Sequence, residues 1–179
     1  MKTIIGICLT IVTGTLHAQP ANPLTAAVTE RFNRIRLDLE ESAEVMPEEK
    51  YSFRLTDPQR TFAEWMAHVA GGNYSFCSVI KGEKPPEKAQ QLNRLTTKAQ
   101  LAPALKESFA YCAEALKDMN DQKALAPAGP NNVSPVRGMI NLVSSDNEHY
   151  GNIVGYLRVK KIVPPSTARA QRQQKAKKQ

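Results

Sequence analysis

Apolar side chains recur at helical spacing in four separate stretches of this chain, and no stretch alternates convincingly as a strand would. In the first, Leu24, Val28, Phe32, Ile35 and Leu39 fall every third or fourth position. They predict a helix from Pro23 to Val45, ended by Pro47. In the second, Phe62, Trp65, Met66, Val69, Phe76 and Ile80 form the stripe. Asp57 is its predicted N-cap, Pro58 its first residue and Gly82 its close. Leu101, Leu105, Phe109, Cys112 and Leu116 mark the third. Its start reads as Thr97 or as Ala102, because Thr97 and Gln100 resemble a capping box while Pro103 sits awkwardly inside such a helix. The fourth opens at Ser134–Pro135 and runs to about Lys161, with Val136, Ile140, Val143, Tyr150, Val154 and Leu157 on one side. Pro85–Pro86 break the chain ahead of a short helix, and "EKYSFRLT" and "APAGPNNVSP" are long connections. Four amphipathic helices joined this way predict an all-α fold, a four-helix bundle.

Length changes the picture only at the ends. A chain of 179 residues fits one domain plus tails. The start "MKTIIGICLTIVTGTLHAQP" has a cationic Lys2, an apolar run from Thr3 to Leu16 and the small Ala18. That pattern predicts a signal peptide over residues 1–18 and an exported protein, periplasmic or extracellular. Because Leu16 is not the small residue a signal peptidase prefers, a retained membrane anchor is the alternative. No other segment is apolar enough to cross a membrane, so no transmembrane span is expected after signal removal. The net charge of +7 is concentrated in the tail, where Arg169, Arg172, Lys175, Lys177 and Lys178 stand without an acid. The expected organisation is therefore a near-neutral domain over residues 19–166 and a disordered basic tail over 167–179. The tail has no aromatic residue, and no nucleic-acid partner is expected.

Cys8 lies in the signal segment, which leaves Cys77 and Cys112. In an oxidising compartment the pair predicts one disulfide; two buried free thiols are the alternative.

Candidate chemistry rests on few imidazoles: His17, His68 and His149. Positions three, four or seven apart share a helix face, so His149 lines up with Leu142, Ser145, Asp146, Ile153 and Tyr156. Its sequence neighbours Glu148 and Tyr150 each diverge from it by about 100°. His68 shares its face with Glu64, Trp65, Gly71, Gly72 and Ser75, and the two glycines would clear space beside it for a helix contact or a ligand. Cys77, nine residues on, falls on the opposite side of that helix and is no co-ligand. There is no glycine-rich phosphate loop and no arrangement suited to a hydrolase triad.

The segments "MPEEKYSFR", "FAEWMAHVAGGNYSFC" and "DNEHYGNIVGYLRVKKIVPPS" resemble the DinB-like superfamily, and the resemblance covers about Leu24 to Ser166. It implies a four-helix bundle of DinB-like type with long crossover connections. It also implies a divalent metal, zinc or nickel, on three histidines: one from the second helix and two from the fourth, spaced H-x-x-x-H. His68 matches the first and His149 the last, while the middle position falls on Ser145. Asp146 or Glu64 is the expected substitute, since two histidines and one carboxylate form a chemically sensible donor set. Otherwise His68 and His149 are polar core residues bonded to each other, to Tyr156 or to Ser145. Two functions follow as expectations. One is an exported bundle that binds a small ligand beside a degenerate metal site. The alternative is a divalent-metal-dependent transferase-like enzyme using a small thiol. The resemblance also makes a homodimer an expected assembly.

Overall fold

A computed structural model describes residues 21–129 and 132–178. The signal-peptide reading, residues 1–18, lies outside the described residues. The chain forms α1 (Pro23–Val45), α2 (Phe62–Lys81), α3 (Lys98–Lys117), α4 (Asp121–Leu125), α5 (Pro135–Val159) and α6 (Pro165–Ala176), with 3-10 turns at Glu48–Lys50 and Glu87–Arg94. No strand occurs among the described residues. The protein is all-α, as the periodicity predicts. To the four long helices it adds α4 and α6, which the periodicity did not reveal.

The helix starts follow local chemistry. Thr97 Oγ1 accepts the Gln100 N–H at 3.3 Å, while Thr97 N–H donates to the Gln100 side chain, so α3 begins at the earlier of its two candidate starts and carries Pro103 inside it. The start of α2 differs from expectation. It is Thr61, not Asp57, that caps it: Thr61 Oγ1 accepts the Glu64 N–H at 3.1 Å and Glu64 Oε2 accepts the Thr61 N–H at 2.6 Å. Asp57 and Pro58 instead belong to the preceding loop, joined by a cis peptide bond. The one-turn α4 serves α1, because the Asp121 carboxylate accepts the Leu24 and Thr25 N–H groups at 3.1 and 2.8 Å.

The long helices close a ring in the order α1–α3–α2–α5. Cross-helix pairs set their directions. Cys77 with Cys112 and Asn73 with Ser108 make α2 and α3 parallel. Trp65 with Tyr156 and Ile80 with Gly138 make α5 antiparallel to α2. Lys106 with Glu44 and Phe109 with Phe32 make α1 antiparallel to α3. Chain order is thus up–down–down–up, which requires the long crossovers seen before α2 and α3. Phe32, Ile35, Leu39, Met66, Val69, Leu105, Phe109, Leu142 and Ile153 fill the centre, all nearly inaccessible to water.

Helices α2 and α5 approach closely at Gly138. A Cβ there would stand 2.6 Å from the Phe76 carbonyl oxygen and 2.8 Å from Ile80 Cγ1. Backbone oxygen cannot give way as a flexible side chain does. Gly138→Ala is therefore expected to destabilise the fold by about 1–3 kcal/mol, through separation of α2 and α5. Urea unfolding of the variant checks this; an unchanged midpoint would mean that the two helices are not in such close contact.

The disordered-tail expectation is corrected. Residues from Pro165 to Ala176 are helical, and Arg169 pairs with Asp38 and Glu41 of α1. Tyr150 anchors the start of α6: its hydroxyl donates to Ser166 Oγ at 2.8 Å and accepts the Ser166 N–H at 3.1 Å. The packed domain thus runs past residue 166. Among the described residues no helix is long and apolar enough to cross a membrane.

Candidate functional site

The antiparallel pairing of α2 with α5 brings His68 and His149 face to edge, with ring centroids 4.8 Å apart and planes at 90°. Trp65 touches both, at 5.3 Å from His149 and 5.8 Å from His68. His149 is buried, whereas His68 is half-buried. Ser145 Oγ and His149 Nδ1 share a hydrogen bond of 3.3 Å, as their four-residue spacing requires. Burial chiefly lowers the pKa of both imidazoles. The Arg60 guanidinium adds to the effect at both, and His68 lowers His149 further. Both rings are therefore neutral at pH 7.

The surroundings of the pair come from the loop before α2. Tyr156 on α5 organises this loop. Its hydroxyl accepts the Trp65 indole N–H at 3.1 Å and is within hydrogen-bonding distance of both the Arg60 carbonyl and Gln59 Oε1. Phe53 stacks edge-on against Tyr156 at 5.9 Å. The result is a cleft of about 680 Å³ lined by Arg54, Gln59, Arg60, Trp65, His68 and Asn93. The Arg60 guanidinium lies 5.1 Å from the Trp65 ring centre. Trp65, on the apolar stripe of α2, is both buried and a wall of the cleft. Arg54, Gln59 and Arg60 were missed, because loop residues carry no periodic signal, and Asn93 because its 3-10 segment is too short to show one. Gly71 and Gly72 do not open the site. A Cβ on Gly71 would meet only Leu92, and on Gly72 only Phe76, at ordinary or slightly tight contact.

The metal donor set does not assemble around the two histidines. At the third position stands the Ser145 hydroxyl, a poor ligand that remains protonated. The Glu64 carboxylate is engaged by the Thr61 backbone and lies 3.9 Å from Arg54 at the surface. Asp146 is 1% exposed in the core stripe of α5, and its Oδ2 has no hydrogen-bond partner. Among the described residues no three His, Cys, Asp or Glu side chains are grouped closely enough to hold a metal ion. Two neutral imidazoles alone do not fit the three-ligand arrangement usual for catalytic zinc.

Asp146 instead makes a prediction about stability. Burial raises its carboxyl well above the ordinary value of 3.8. The folded state then holds the proton more tightly than the unfolded chain, so this contribution is complete below pH 3.8 and is lost as pH rises toward the raised folded value. Asp146→Asn removes the titration. The stability of the variant relative to the parent should therefore grow between about pH 4 and pH 7, by about 1.4 kcal/mol per unit of the shift. Urea melts at both pH values measure it, and a difference that stays constant with pH would contradict the burial of this carboxyl.

Cys77 and Cys112, both fully buried, are placed at disulfide-bonding distance with Cα atoms 5.2 Å apart. They join α2 to α3, away from the histidine pair, as the helical wheel predicts.

A search of curated proteins found no match. The family model of the DinB superfamily matches residues 31–150, two thirds of the chain.

Proposed function

We propose, from the premise that this chain belongs to the DinB superfamily, that it is an exported helical bundle binding a small ligand in the cleft beside a degenerate metal site. The single observation that supports this reading is the composition of the site. A cleft of about 680 Å³ has His68 in its wall; His68 packs against His149, and at the position where a third donor would complete the set a serine, Ser145, bonds His149 instead. The cleft is of the size that takes a small organic molecule. Export is supported by the cysteine pair, since a disulfide persists in an oxidising compartment.

Thermal unfolding tests the reading. A species that binds only the folded state raises the unfolding temperature in proportion to its occupancy. Addition of zinc or nickel, or of a strong chelator, is expected to leave the transition of the mature protein unchanged. A clear upward shift with either metal, lost in His149→Ala, would sink this reading. It would favour the alternative, a divalent-metal-dependent thiol-using transferase. The same nearness of His68 to His149 is what favours that second reading, because it is the one part of a metal site that the chain retains.

A further inference from the structure

The cleft has a definite charge character. Two of its lining side chains, Arg54 and Arg60, are cations. Its one carboxylate, Glu64, is held by the capping contact with Thr61. Arg60 makes no ion pair among the described residues; its guanidinium rests on the Trp65 ring, with the planar fork of N–H donors left for a partner. Arg54 is 3.9 Å from Glu64, with side chains 43% and 58% exposed, a surface pair of little energetic weight that an incoming anion can replace. The Arg60 backbone is fixed, because the Tyr156 hydroxyl binds its carbonyl and the Trp65 indole in turn. A cation held this way loses little conformational freedom on binding. Neutral groups complete the wall: Gln59, Asn93 and the His68 imidazole each offer a hydrogen bond without adding charge.

We infer that the cleft binds a small organic anion, with the oxyanion group of the ligand, a carboxylate or a phosphate, seated on Arg60 and Arg54 and its body against Trp65. This rests on the reading of the cleft as the ligand site and names the class of ligand. Guanidinium forks match both kinds of oxyanion bidentately, and desolvation in a concave site strengthens the bond relative to bulk water.

Trp65 is the only tryptophan in the chain, so its fluorescence reports on the cleft directly. Citrate and inorganic phosphate are titrated separately into the full-length mature protein, with chloride holding the ionic strength constant. The expected result is a saturable change in Trp65 emission with one or both probes. Arg60→Gln should weaken that binding by at least about tenfold, Arg54→Gln should weaken it less, and Arg137→Gln, an exposed site on α5, should leave it unchanged. The tighter probe identifies the carboxylate or the phosphate as the recognised group. A urea melt of each variant separates lost binding from lost folding, and Arg54→Gln carries the test if Arg60→Gln unfolds. Failure of both probes to saturate, or binding that survives both substitutions in folded protein, would overturn the inference. Metal content measured on the same sample distinguishes the failures. A metal-free protein that ignores both probes contradicts only the anion, whereas a metal-loaded one contradicts the underlying reading as well.

Discussion

Replacing Ser145 with histidine is expected to create a firm zinc or nickel site. Ser145 and His149 are four residues apart on one face of α5, and their side chains already touch at 3.3 Å. His68 faces His149 from α2 with the rings 4.8 Å apart. A third imidazole would bring the donor set to the three protein ligands usual in open zinc sites. The gain in affinity should be on the order of a hundredfold, close to 3 kcal/mol. Because burial already lowers the pKa of both existing rings, little proton release opposes binding at pH 7. Titration calorimetry with zinc on Ser145→His and on the parent measures the difference. Equal, weak binding by both would mean that the histidine pair is not oriented to share an ion, and that Ser145 is not the lost ligand.

The second large effect is on stability. Cys77 and Cys112 are 35 residues apart, and closing a loop of that length restricts the unfolded chain by about 4 kcal/mol in the chain-entropy account. Typical domains hold only about 5–15 kcal/mol in all. Reduction, or Cys112→Ser, should therefore lower the urea midpoint sharply while leaving the helical content of the folded protein unchanged. Both sulfur atoms are shielded from solvent, so reductant should act slowly on native protein and quickly on denatured protein. Two free thiols titrated in the denatured, unreduced protein would show that the bond does not form.

The four long helices were legible because their apolar positions recur with the helical period over twenty or more residues. The start of α2 was not, because two capping signals compete within five residues. Asp57–Pro58 looks like a helix start, but Thr61 with Glu64 supplies two reciprocal hydrogen bonds where Asp57 supplies none to the helix. The same contact holds the Glu64 carboxylate away from the histidine pair. Its spacing from His68 was right, but its carboxylate serves the backbone. Residues 167–179 read as disordered because composition describes a segment in isolation. Arg169 reaches acids more than a hundred positions away in sequence, which no local signal reveals. Helical spacing placed His68 and His149 on inward faces, and the bundle brought them together. Arg60 was invisible for the converse reason: its position depends on a hydroxyl from Tyr156, at the far end of α5.

Everything proposed for the cleft depends on the site being a ligand site that has lost its metal. Elemental analysis of the protein, purified without chelator, tests that most directly. The account predicts zinc and nickel far below one equivalent per chain. Near-stoichiometric zinc or nickel in the parent protein, absent from His68→Ala and His149→Ala variants that still fold, would contradict it.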